Sequence, residues 1–163
     1  MCFWRVFIAA RSMQAPTLRA ARLEEARREL TRRAIARARS TTFEEWLPQV
    51  TPEYTWDWAH LQFIQQQLAR VSSGEIKKLM LFVPPRHGKS EMTTIRYPIY
   101  RMEMNPKLRV MLGCYNQDLA NKFSRDARKI ARGRGIVGGG VCKQDEWEIT
   151  GGGSYRAAGV GGA

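Results

Sequence analysis

The stretch that most limits what this chain can become is "KKLMLFVPPRHGKSEMTTIRYP", residues 77–98. Five consecutive apolar residues, Leu79 to Val83, stop at a proline pair. Such a run suits a strand buried on both faces of a parallel sheet. Pro84 and Pro85 have no N–H to donate, so they stiffen the strand exit and leave anion binding to the residues from about His87 onward. "EMTTIRYPIYRMEM" then reads as a helix with Pro98 as a kink and "NPK" at 105–107 as its exit turn. Strand, loop and helix in that order bring backbone N–H groups and a helix N-terminus together on one anion.

The loop matches most of the phosphate-binding pattern G-x-x-x-x-G-K-[ST], with Val83 in place of the first glycine. Gly88 lets the backbone approach a phosphate with no Cβ in the way. Lys89 would reach the β- and γ-phosphate oxygens, and Ser90 would place its hydroxyl on Mg²⁺. Arg86 can fork onto phosphate oxygens or pair with an acidic residue. His87 reads as an exposed turn residue. Each could instead be an ordinary surface or helix-start residue, and the strand–loop–helix context is what favours phosphate.

Downstream, "LRVMLGCY" (108–115) is a second apolar strand. Residues 116–135 give a helix capped by Asn116, with Leu119, Phe123, Ala127 and Ile130 inward. With residues 77–83 this makes a βαβ unit whose strands are parallel. "GRGIVGGG" is flexible by composition, and "WEITGGGSYRAAGVGGA" reads as a hairpin around a triple glycine. Upstream, residues 58–75 place Leu61, Ile64, Leu68 and Val71 at helical spacing before a Ser-Ser-Gly stop. Residues 43–60, with three tryptophans and two prolines, read as an irregular covering segment. Residues 17–40 form a helix with eight arginines against three glutamates, preceded by a poorly ordered leader over 1–16.

At 163 residues there is room for one ordinary domain. A net charge of +12 favours a polyanionic partner such as nucleic acid. Three cysteines with no C-x-x-C pair argue against a disulfide framework or a zinc site and fit a reducing, intracellular setting. The apolar opening "MCFWRVFIAA" is interrupted by Arg5 and far shorter than the roughly 20 residues that cross a bilayer, so no membrane role is expected.

"FVPPRHGKSE" followed by the Tyr-Pro helix, "NPKLRVMLGCYNQDLANKFSRDAR" and "WEITGGGSYRAAGVGGA" together resemble the large terminase subunit of tailed bacteriophages, over Thr41 to Ala163. That resemblance implies an α/β, P-loop NTPase-like parallel sheet with flanking helices, here incomplete and preceded by the basic helix. It implies a DNA-packaging motor that uses ATP and Mg²⁺, with the loop residues Arg86, His87, Gly88, Lys89, Ser90 and Glu91 on the nucleotide. Lys89 and Arg86 would act on the transferring phosphate, and Ser90 would bind the metal. His60 or Gln62 would lie where the family contacts adenine, although Gln65 to Gln67 offer other amides. Implied partners are double-stranded DNA, the small terminase subunit and the portal protein, with a ring assembly in the bacterial cytoplasm.

Such motors also need an apolar strand that ends in acidic residues (Walker B), a coupling motif and a nuclease domain. No hydrophobic run ending in Asp-Asp or Asp-Glu occurs here, so residues 41–163 are expected to be a partial ATPase domain with little or no turnover. Two other readings stay open: a non-catalytic basic DNA-binding remnant of a degraded prophage gene, and a small phosphotransferase using the same loop. An exposed apolar sheet edge beside the loop strand is expected to make the chain poorly soluble.

Overall fold

The computed structural model describes residues 41–160, together with Arg22, Leu23, Glu25, Ala26 and Glu29. The chain divides into two units, residues 1–34 and 35–163. In the first, the five described residues are all helical, as expected for that stretch. The leader and the rest of the expected 17–40 helix lie outside the described residues.

The second unit opens with α1 (Phe43–Val50), where an irregular segment was expected. The signal was local and present. Thr42 accepts from the Glu45 N–H while the Glu45 carboxylate accepts from the Thr42 N–H, a capping box that starts the helix despite Pro48 in its second turn. Phe43, Trp46 and Leu47 bury its inner face. α2 (Ala59–Ser73) follows as the periodicity required, buries Leu61, Ile64 and Leu68, and ends on Gly74 in the left-handed conformation.

Residues 89–104 form one continuous helical run. Its first part, Glu91–Arg96, is π-helical, and α3 (Tyr97–Met104) continues it with Pro98 at its first turn. The expected kink at Pro98 therefore takes the form of a change of helical winding just before it. Then come β1 (Arg109–Cys114), α4 (Gln117–Gly133), β2 (Val137–Cys142), β3 (Glu146–Ile149) and β4 (Ser154–Gly159).

The sheet is mixed, in the order β1-β4-β3-β2, rather than parallel throughout. β1 and β4 pair in parallel, and β3 pairs antiparallel to both β4 and β2. The β3–β4 hairpin turns on the triple glycine as expected, whereas the glycine-rich segment read as flexible is strand β2. α4 lies on the sheet through Ala120, Ser124, Ala127 and Ala131, a face turned by about one residue from the expected one, leaving Leu119 exposed. Three alanines and a serine let helix and sheet approach closely. Trp147 stacks on Tyr155 at 5.2 Å beneath them and donates to the Ser124 hydroxyl.

Residues 77–83 depart most from expectation. They belong to no ladder, and their backbone makes no hydrogen bond to any described residue. Leu79, Leu81 and Val83 lean on the core, while Met80 and Phe82 are 77% and 87% exposed. The expected βαβ pair of this segment with β1 is therefore not formed; β1 pairs with β4. An apolar run records side-chain burial on one face, whereas a strand also needs a neighbouring backbone.

Candidate phosphate-binding loop and its neighbours

Pro85 to Gly88 make a tight loop at the head of the 89–104 helix. Arg86 and Gly88 both have positive φ, 65° and 74°. This conformation suits Gly88 and strains Arg86, the one non-glycine described residue that adopts it. A Cβ on Gly88 would also meet the Leu61 side chain at 3.2 Å, so α2 closes over the loop where a side chain would otherwise stand. His87 donates from Nδ1 to the Pro85 carbonyl at 2.8 Å, because a carbonyl can only accept, and this pins the turn.

The first intrahelical bond runs from the Met92 N–H to the Gly88 carbonyl at 3.0 Å. The N–H groups of Lys89, Ser90 and Glu91 thus have no acceptor among the described residues. Neither the Lys89 ammonium nor the Arg86 guanidinium is paired with any described residue, and the Ser90 hydroxyl makes no hydrogen bond to one. Two cations, three N–H donors and a hydroxyl without a partner among the described residues thus fall within residues 86–91. That set matches a polyphosphate, whose oxygens accept from all of them.

A cavity of about 550 Å³ adjoins the loop, lined by Tyr54, Trp56, Trp58, His60, Arg86 and His87 among others. His60 lies beside the loop, its ring edge-to-face with that of His87 at 5.6 Å. Gln62 does not. It lines a second cavity of about 340 Å³, with Glu44, Pro48 and Asp57, that shares Tyr54, Thr55 and Trp56 with the first. Gln65 is buried and donates to the Trp56 carbonyl at 3.0 Å, and Gln67 accepts from Arg70, so both are occupied within the fold.

Glu91, expected on the nucleotide, has its carboxylate bound to Arg96. Arg96 itself was not singled out in the sequence. Its side chain is 4% exposed, lies over the neighbouring rings of Tyr54 (4.6 Å) and Trp56 (4.9 Å), whose centroids are 5.4 Å apart, and donates to Thr51 Oγ1 and to the Glu91 carbonyl. This clamp ties the aromatic segment 51–56 to the helix that carries the loop. The π-helical winding over Glu91–Arg96 is the local feature that accompanies it, and nothing in the composition of "TTIRYP" announced it.

Among the described residues, no group of three or more His, Cys, Asp or Glu is placed to hold a metal. A Mg²⁺ ion at this loop would be held by the Ser90 hydroxyl together with phosphate oxygens and water, the usual manner for this ion. No helix among the described residues is long and apolar enough to cross a membrane.

No protein family, no curated protein and no solved structure matches the chain.

Proposed function

We propose that the chain binds ATP with Mg²⁺ through residues 86–90 and is part of the ATPase of a phage DNA-packaging motor, of the large-terminase kind that its sequence resembles. The observation that carries the nucleotide part is the loop itself. Arg86 and Gly88 are left-handed, and the N–H groups of Lys89, Ser90 and Glu91 and the Lys89 and Arg86 side chains have no partner among the described residues, which leaves them to an anion. Lys89 and Arg86 would balance charge on the β- and γ-phosphates, and Ser90 would hold the metal, which supplies further charge neutralisation at the bridging oxygens. The aromatic-lined cavity beside His60 is large enough to take a base next to those phosphates. Duplex DNA, the small terminase subunit and the portal protein are the proposed partners, in a ring within the bacterial cytoplasm.

Hydrolysis needs a carboxylate to orient the attacking water, and the sequence holds no apolar run that ends in Asp-Asp or Asp-Glu. Binding without appreciable turnover is the expected behaviour. Titration of the purified chain with a fluorescent ATP analogue in Mg²⁺ should give saturable binding that Lys89→Ala weakens at least tenfold. Equal affinity in parent and variant would remove the loop as the site. Turnover at motor-like rates, abolished by Lys89→Ala, would show that the catalytic carboxylate is already present.

A further inference from the structure

Every exposed position of α4 from Lys122 to Arg132 carries a cation: Lys122, Arg125, Lys129 and Arg132. At 100° and 1.5 Å per residue these four lie within an arc of about 80° along roughly 15 Å of helix. None is paired with a carboxylate among the described residues. Arg128 flanks the row, held by the Lys143 carbonyl at 2.8 Å.

A helix face that only meets water commonly alternates sign, so that Glu and Lys four apart support each other. Here residues 122 and 125, 125 and 129, and 129 and 132 are like-charged neighbours at helical spacing, and each such pair weakens the helix. The helix dipole compensates Arg132 in the last turn but not Lys122, Arg125 and Lys129 further in. The row is also held rigidly, because the opposite face seats Ala120, Ser124, Ala127 and Ala131 on the sheet.

We propose that this face of α4 docks on the phosphate backbone of duplex DNA, without reading its sequence. A straight, rigid row of cations suits a regular line of phosphates. A membrane-surface helix would set apolar side chains among its cations, and none is exposed between Lys122 and Arg132. A single-strand groove would offer aromatic faces for stacking, and this face exposes none. The proposal rests on the DNA-handling half of the proposed function and is independent of nucleotide binding.

The test uses the full chain and a 30-base-pair duplex of arbitrary sequence, with anisotropy followed against NaCl concentration. In Lys122→Gln/Arg125→Gln/Lys129→Gln/Arg132→Gln, binding at low salt should fall at least tenfold. The slope of log K against log salt should become shallower by up to about 3.6, four phosphates at about 0.9 each. Glutamine keeps helix propensity, and circular dichroism checks the fold; the two half-variants, 122/125 and 129/132, should each give about half the slope change. Unchanged affinity and slope in the fourfold variant would overturn the proposal, as would tighter binding of the parent to phosphatidylserine vesicles than to duplex. A parent that binds ATP but no duplex would sink the DNA half alone, and Lys89→Ala should leave duplex binding as it was.

Discussion

Pro98 has no N–H to offer the carbonyls one turn earlier in the chain, and the Thr94 carbonyl instead accepts the Tyr155 hydroxyl at 3.1 Å. Tyr155→Phe should therefore leave a part-buried carbonyl without its partner and cost about 1–3 kcal/mol, measured by urea unfolding. Burial also pushes the Tyr155 phenol well above its ordinary value. The neutral form is the one the fold holds, so this contribution is complete below the unfolded value near pH 10 and is lost as pH rises beyond it. Stability of the parent should fall more steeply above about pH 10 than that of Tyr155→Phe, and parallel slopes would remove Tyr155 as the cause. Residue-scale facts of this kind divided sharply in legibility. Gly88, Lys89 and Ser90 could be picked out as candidates because the proposed phosphate loop restricts residue type at fixed spacing. Arg96 could not, because its burial depends on two aromatic rings some forty residues away.

Among the elements, those with caps or strong periodicity were readable. α4 starts where Asn116 stands, and its Oδ1 accepts from the Leu119 N–H at 2.9 Å. Asn116→Ala should cost about 1 kcal/mol in thermal or urea unfolding, with Asn116→Asp nearly neutral; equal losses in both would point away from capping. α1 carried its capping box in "TFEE", masked by the tryptophans and prolines that follow. β2 was unreadable for a different reason. "VGGGVC" has little strand propensity of its own, and it pairs because β3 supplies the ladder and because Gly138 admits the Ile149 backbone, whose carbonyl carbon lies 3.0 Å from where a Cβ would be. Propensity is a property of the segment, whereas this pairing is a property of the neighbour.

For the whole molecule, the sequence pointed to a mixture of helices and strands but not to the mixed sheet, because strand order depends on which backbones are left to pair. β1 and β2 are its two edges, and the 77–83 run, whose backbone pairs with no described residue, is a third surface open to another chain. Its exposed half can be separated from its packed half. Met80→Lys/Phe82→Lys changes only side chains that are 77% and 87% exposed, so it should leave the unfolding midpoint within about 0.5 kcal/mol of the parent. It should raise the concentration at which light scattering detects self-association, since charge on an open strand blocks edge pairing. Leu79→Lys/Leu81→Lys instead buries charge against the core and should unfold the chain readily. If the two double variants behaved alike, the alternation of packed and open side chains along 77–83 would be wrong, and with it the placement of the segment that leads into the loop.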